Sequence, residues 1–166
     1  MHIEVFCDGA SRGQGQKKIG EASCATVVYK NRKKVAQFAR GLGKRSNNEA
    51  EYEAVIAGLL ICSMSEFIDP IIYTDSAVVA NHINGKWKCR NKTLLPLLMT
   101  IEDIADEYKF RVVQVPRNIV WEPDFLANQF LDELEKRTEK GQSEWYNVYY
   151  VRKTLQTTTY NNRVIW

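Results

Sequence analysis

The sequence lacks the features that mark several protein classes. Its four cysteines, Cys7, Cys24, Cys62 and Cys89, lie far apart without a C-x-x-C pair, so neither a zinc site nor a disulfide framework is predicted. We expect free thiols that pack as small hydrophobic side chains. No apolar run approaches the roughly 18 residues that span a bilayer. The N-terminal residues also lack the basic and apolar segments of a signal peptide, so we expect a cytoplasmic protein without a membrane segment.

The composition is that of a folded chain of single-domain size. Of its 166 residues, 45% are hydrophobic and 26% are charged, which argues against a disordered chain. The net charge of +3 is too small to identify a nucleic-acid partner. The basic residues cluster at 17–18, 30–34, 44–45 and 86–92. Such clusters fit either a surface that faces phosphate groups or ordinary solvated turns.

Hydrophobic periodicity and turn residues divide most of the chain into strands and helices. The predicted strands are 2–8, 22–29, 34–42, 71–74 and 110–115, and the predicted helices are 47–63, 76–84, 93–108 and 123–140. Short connections, including a turn at Asn31-Arg32, predict an antiparallel meander of the first three strands. The order β-β-β-α-β-α-α-β-α predicts an α/β protein with a mixed sheet and helices on its faces.

Residues 141–166 form a tail of different composition. Its aromatic residues are Trp145, Tyr146, Tyr149, Tyr150, Tyr160 and Trp166, and its cations include Arg152, Lys153 and Arg163. Aromatic and basic residues in alternation suit contact with single-stranded nucleic acid. They also suit a hairpin that turns at Asn161-Asn162 and packs on the core or on a second subunit, which we favour. A monomer is expected, with a dimer through the tail as the alternative.

The helix at 47–63 carries an acid on its apolar face. The residues on the same face as Glu51 are Ala54, Val55, Gly58, Leu59 and Cys62. A carboxylate that faces a core is unfavourable unless something pairs with it. The alternative is that Glu51 lies at the edge of the apolar stripe, where an acid near the helix start favours the helix dipole.

Three aspartates stand at the ends of predicted elements. Asp8 and Asp75 end two strands, where Asp is ordinarily a turn or cap residue, and Asp124 follows Pro123 in the first turn of a helix. In open α/β sheets, however, sites form beyond the carboxyl ends of strands where the strand order reverses. If the first and fourth strands are parallel neighbours, Asp8 and Asp75 meet at such a point. If Glu51 and these aspartates converge, a divalent cation such as Mg²⁺ or Mn²⁺ relieves their repulsion. Two such ions about 4 Å apart suit phosphoryl displacement.

The residues around these acids resemble the motifs of type 1 ribonuclease H. The four motifs are Asp8-Gly9-Ala10-Ser11-Arg12-Gly13, Ser46-Asn47-Asn48-Glu49-Ala50-Glu51-Tyr52, Tyr73-Thr74-Asp75-Ser76, and Val115-Pro116-Arg117 with Pro123-Asp124-Phe125-Leu126-Ala127-Asn128. The resemblance implies a five-stranded mixed sheet flanked by helices, in a ribonuclease H-like catalytic domain at 1–140 with 141–166 as a tail rather than a domain.

The same resemblance implies an activity. It implies endonucleolytic cleavage of the RNA strand of RNA–DNA hybrids with two Mg²⁺ ions, Mn²⁺ being the alternative metal, to give a 5′-phosphate and a 3′-hydroxyl. Asp8 would bridge both ions, Glu51 and Asp75 would complete one site, and Asp124 would complete the other. RNA–DNA hybrid is the expected partner, and double-stranded RNA is a second candidate.

Substrate contacts are implied at two places. The backbone at Gly9, Ala10 and Ser11 and the side chains of Asn47 and Asn48 would face the RNA 2′-hydroxyl groups, which distinguish RNA from DNA. Lys44, Ser46 and Asn91 resemble the family's pocket for a phosphate of the DNA strand. The stretch Lys86-Trp87-Lys88-Cys89-Arg90 resembles a shortened basic protrusion. Each of these residues also suits an ordinary protein surface.

The chain departs from the best-known members of this family. Many members carry a His before the fourth acid that aids product release, whereas Asn118-Ile119-Val120-Trp121 contains none, so the match is closer to the branch without that His. The first motif continues with Gln14-Gly15-Gln16-Lys17-Lys18 instead of Asn-Pro-Gly-Pro. Two alternatives stay open: a nuclease of the same fold with another duplex specificity, and a non-catalytic nucleic-acid-binding module. The four acids argue against the binding module, because a protein that only binds nucleic acid has no need of four carboxylates beside the phosphates.

Overall fold

The computed structural model describes residues 1–13 and 19–140. Its elements are β1 (Ile3–Ser11), β2 (Ile19–Lys30), β3 (Lys33–Ser46), α1 (Asn47–Met64), β4 (Ile71–Thr74), α2 (Ala77–Ile83), α3 (Leu95–Glu107), β5 (Arg111–Gln114), a 3₁₀ turn (Arg117–Val120) and α4 (Trp121–Glu139). The predicted order of strands and helices is confirmed. The expectations for the tail at 141–166 and for the segment 14–18 lie outside the described residues.

The strands form one five-stranded mixed sheet in the order β3-β2-β1-β4-β5. β1, β2 and β3 are antiparallel neighbours, whereas β4 pairs in parallel with both β1 and β5. Asn31 and Arg32 join β2 to β3 with φ angles of 50° and 67°. Two successive left-handed residues form a turn whose twist matches a two-residue hairpin, so the predicted turn is confirmed.

The first three strands are longer than the sequence pattern indicates. β3 runs on to Ser46 and leads directly into α1, and a register shift between Ala22 and Ser23 leaves Leu42 as an extra residue between Gly41 and Gly43. Polar residues and glycines occupy this end of the hairpin, so no apolar alternation reveals the strand. β1 also continues past Asp8, which pairs with Ala25. The prediction that Asp8 ends its strand is therefore wrong, although pairing of β1 with β4 stops at Phe6.

The core has one hydrophobic cluster on each face of the sheet. On one face α1 buries Tyr52, Val55 and Leu59 among a group that includes Val5 and Ile72. On the other face Ala127 and Leu131 of α4 pack on three alanines, which are Ala10, Ala25 and Ala39. These small side chains let α4 lie close to the sheet. No helix within the described ranges is both long and apolar enough to cross a membrane.

Candidate metal centre

Parallel pairing of β1 with β4 brings Asp8 and Asp75 together. Phe6 lies opposite Tyr73, and each aspartate follows two residues later. At this point β4 ends and the chain turns into α2, whereas β1 continues alongside β2. The strand order reverses between β1 and β4, which is the kind of position where open α/β sheets form their sites. The expected meeting of the two aspartates is confirmed.

Close contact between β1 and α1 adds Glu51 to this pair. A Cβ atom on Gly9 would lie 2.2 Å from the carbonyl carbon of Ala50 and 2.4 Å from the nitrogen of Glu51. Glu51 is consequently only 9% exposed and Asp8 only 4%. The acid that stabilises the start of α1 is Glu49 and not Glu51, because Glu49 forms a capping box with Ser46. The interpretation of Glu51 as a core-facing carboxylate is confirmed.

Asp8, Glu51 and Asp75 form a compact carboxylate group. One carboxylate oxygen from each lies within 4.8 Å of the others. Asp8 Oδ1 accepts a hydrogen bond from the Gly9 N–H at 2.9 Å, and Glu51 Oε1 accepts one from Asn47 Nδ2 at 3.0 Å. Asp75 Oδ1 is buried and has no hydrogen-bond partner among residues 1–13 and 19–140. A buried acceptor without a partner is unfavourable, so this oxygen is suited to a cation.

Asp124 stands apart from the group of three but acts on Asp8. After burial and the charge of Asp75, the nearby Asp124 carboxyl group raises the pKa of Asp8 further. Arg117 Nη2 donates to Asp124 Oδ1 at 2.9 Å, and Asn128 Nδ2 donates to the same oxygen at 3.2 Å. Asp8 therefore has Glu51 and Asp75 as one set of acidic neighbours and Asp124 as another. The motif contained Arg117, but sequence reasoning gave it no role.

The electrostatics of the group favour a bound cation. Burial, followed by the charge of Asp75, raises the pKa of Asp8 to about 8. Burial also raises the pKa of Glu51 to about 7, opposed by a hydrogen bond from Ser76. These shifts mean that the buried carboxylates lack sufficient compensating positive charge. Ligands made only of carboxylate oxygens suit Mg²⁺ or Mn²⁺, so the residues present fit the expected metal.

The residues expected to contact substrate fall into two regions. Lys44, Asn47 and Asn48 are exposed around the start of α1, beside the half-buried Ser46. Asn91 belongs to the loop before α3, where its Oδ1 accepts hydrogen bonds from Thr93 and Leu94.

Gly9, Ala10 and Ser11 lie along the last part of β1, beside Asp8. Gly9 and Ala10 are buried, and Ser11 Oγ donates to the Arg45 carbonyl at 2.8 Å. Their backbone therefore borders the carboxylate group. Contact of any of these residues with nucleic acid stays a prediction.

A family model described as reverse transcriptase-like matches residues 8–130, a span that includes all four acids. The chain belongs to this family. This reverse transcriptase-like chain has the fold of type 1 ribonuclease H, as its motifs predicted. It is 29% identical over 133 residues to ribonuclease HI of Halobacterium salinarum, covering 79% of this chain and 65% of that protein. The crystal structure of RNase H1 from that archaeon has a TM-score of 0.74 at 28% identity, covering 80% of this chain and 99% of that chain.

Two other proteins extend the comparison. The chain is 29% identical over 135 residues to the bifunctional protein Rv2228c of Mycobacterium tuberculosis, which is 80% of this chain but 36% of that protein. The N-terminal RNase H domain of Rv2228c has a TM-score of 0.72 at 28% identity, covering 78% of this chain and 98% of that fusion chain. LC11-RNase H1, solved in complex with RNA/DNA hybrid, shares the fold with a TM-score of 0.74 at 24% identity, covering 80% of this chain and 98% of that chain.

Proposed function

We propose that this chain is an endoribonuclease that cleaves the RNA strand of RNA–DNA hybrids with two divalent cations, Mg²⁺ in the first instance. The products would carry a 5′-phosphate and a 3′-hydroxyl. The observation that carries the proposal is the convergence of Asp8, Glu51 and Asp75, in which the buried Asp75 Oδ1 has no hydrogen-bond partner among the described residues. Relatives named ribonuclease H and a structural neighbour solved with RNA/DNA hybrid support it.

Asp8 is the central residue of the proposed site because the other three acids surround it. Glu51 and Asp75 would hold one ion with Asp8, and Asp124 would hold the other with Asp8. When bound, the two cations would supply an activated water and neutralise charge that develops on the phosphate. The Gly9 N–H and the Asn47 amide orient Asp8 and Glu51 through their hydrogen bonds.

Selection of RNA would come from polar groups at the start of α1. Asn47 already donates to Glu51, whereas Asn48 is exposed and makes no side-chain hydrogen bond to any described residue. The Asn48 amide is therefore the better placed of the two to read a 2′-hydroxyl group, which both donates and accepts hydrogen bonds. Lys44, Ser46 and Asn91 are proposed to contact a phosphate of the DNA strand.

A cleavage assay on matched duplexes tests this function. One sequence is prepared as RNA–DNA hybrid, double-stranded RNA and double-stranded DNA, with either strand labelled, and incubated with Mg²⁺, Mn²⁺ or EDTA. We expect cleavage of the RNA strand of the hybrid, abolished by EDTA, with product ends that a DNA polymerase extends. Cleavage restricted to another duplex would indicate a different nuclease specificity. Binding without cleavage in either metal would indicate a binding module.

A further inference from the structure

A basic loop, residues 86–92, connects α2 to α3. Its four cations, Lys86, Lys88, Arg90 and Lys92, are exposed, and none forms an ion pair in the part of the chain that the structure describes. The residues between them contact the protein: Cys89 packs against the main core, and the Trp87 ring meets His82 edge-on with centroids 6.5 Å apart. The loop therefore exposes four positive charges while the residues between them hold it against the protein.

The start of this basic loop is fixed to α2. The backbone N–H groups of Lys86 and Trp87 both donate to the Asn81 carbonyl, at 2.9 Å and 3.1 Å. The Asn81 side chain in turn donates to the Ala77 carbonyl at 2.7 Å. Gly85, with φ of 69°, makes the reversal that these hydrogen bonds require.

His82 joins the basic loop to α1. Its Nδ1 lies 2.8 Å from the Tyr52 hydroxyl, and the two rings stack with centroids 6.3 Å apart. Tyr52 is fully buried and directly follows Glu51. His82 belongs to α2, which begins just after Asp75. The contacts Tyr52–His82–Trp87 thus run from α1, which carries Glu51, through α2 to the base of the basic loop.

We propose that the Tyr52–His82–Trp87 contacts position the basic loop relative to the carboxylate group, so that its cations meet a substrate phosphate at a fixed distance from the reacting bond. This inference rests on the proposed nuclease function. Tyr52 and His82 are positioning residues, because they reach the substrate only through the loop. An ordered loop loses less conformational entropy when it binds a duplex, so the contacts should affect binding more than turnover.

Substitutions that break the contact between Tyr52 and His82 test the proposal: Tyr52→Phe removes its hydrogen bond alone, whereas His82→Leu also removes the ring that meets Trp87. Tyr52→Phe keeps the buried ring, and His82→Leu removes the partner, so each should raise KM for hybrid roughly threefold to tenfold with kcat little changed. Each should also make log Kd less dependent on log salt, because fewer phosphates are held. His82→Asn keeps a polar atom near the position of Nδ1 and should restore most of the wild-type KM. The double variant Tyr52→Phe/His82→Leu should resemble the single variants.

Tyr108→Phe is the matched control. It removes another phenol hydrogen bond, from Tyr108 to the Phe67 carbonyl, which involves no residue of α2 or of the basic loop. This variant should lower Tm without changing KM or the salt dependence. If Tyr52→Phe behaves in the same way as Tyr108→Phe, the Tyr52–His82 bond is merely structural and the inference is overturned.

Failure of this inference is distinguishable from failure of the nuclease function. If the wild-type protein binds hybrid in EDTA but cleaves no duplex with metal, the nuclease proposal fails. The salt dependence of hybrid binding by the same variants then decides the role of the basic loop. A wild-type protein that binds no hybrid overturns both.

Discussion

Gly9 of β1 and Ala50 of α1 are in direct backbone contact, with only 2.2 Å between an added Gly9 Cβ and the Ala50 carbonyl carbon. Backbone atoms cannot yield to such an overlap as a flexible side chain can. Any larger residue at position 9 must move α1 away from β1. Because Asp8 and Glu51 flank this contact, its geometry sets the separation of two of the acids.

Gly9→Ala should therefore damage the metal site as well as the fold. We expect a loss of stability of about 1–3 kcal/mol from overpacking, together with clearly weaker Mg²⁺ binding. Thermal melting and a Mg²⁺ titration measure the two effects. Gly43→Ala is the control, because Gly43 has a φ of 67° but nothing within 4 Å of an added Cβ. Gly43→Ala should lower the free energy of unfolding by about 1 kcal/mol and leave Mg²⁺ binding intact. Wild-type metal affinity in Gly9→Ala would contradict this account.

Asp75→Asn should separate binding of nucleic acid from its cleavage. The amide keeps the shape of the carboxylate but removes a charge that destabilises its acidic neighbours, Asp8 and Glu51. We expect a metal-free Tm at or above that of the wild type, no further rise with Mg²⁺, and no turnover, while hybrid binding in EDTA persists. Asp103→Asn, at an exposed position of α3, should change none of these quantities. Normal turnover in Asp75→Asn would exclude Asp75 from the site.

The metal-free protein should lose stability as the pH rises. The pKa values of Asp8 and Glu51, about 8 and about 7, exceed the roughly 4 of an unfolded carboxyl group. A carboxyl group with a raised folded pKa stabilises the fold fully below its unfolded pKa, and that contribution is lost as pH rises through the folded pKa. Melting in EDTA from about pH 5 to about pH 8 should therefore show a declining Tm.

Asp8→Asn provides the comparison for the pH experiment, because it removes the group with the higher pKa. Its Tm should decline less with pH than that of the wild type. The rise in Tm that Mg²⁺ produces in the wild type should grow over the same pH interval, since ionised carboxylates bind the cation. Equal pH slopes in EDTA for the wild type and Asp8→Asn would refute this explanation.

Lys44 provides a test of the substrate surface beside α1. It is exposed near the end of β3, whereas Lys33 is exposed at the opposite end of the same strand. A lysine that contacts one phosphate of a duplex contributes about 0.9 to the slope of log K against log salt. Lys44→Ala should weaken hybrid binding and reduce the slope by about that amount, and Lys33→Ala should do so much less. Equal slopes for the two variants would remove Lys44 from the interface.

Local signals made part of the fold predictable. β4 is found at the predicted residues 71–74, and the cap at Ser46 correctly marked the beginning of α1. α4 begins at Trp121 rather than Pro123, after a 3₁₀ turn that was not predicted. The described residues provide no side-chain cap there, and Ile119 and Trp121 are exposed, so neither capping nor periodicity marks the boundary.

Some features of the candidate site could be predicted from the sequence and others could not. Glu51 could be singled out because helical periodicity placed it among apolar residues, and its burial followed from that position. The pairing of Arg117 with Asp124 could not be foreseen, because it crosses from the 3₁₀ turn to α4 and has no periodic pattern. The backbone contact of Gly9 with Ala50 joins distant segments, and the sequence shows only a glycine beside an aspartate.

Asp8 lies in β1, Glu51 in α1 and Asp75 directly after β4, so the three acids assemble only when β1 pairs with β4 across the intervening meander and helix. Such long-range pairing costs loop-closure entropy, so the complete ligand set should form late in folding. A divalent cation would then have little to bind in the transition state. It should slow unfolding while leaving the folding rate nearly unchanged, and so lengthen the lifetime of the native state without guiding the chain towards it.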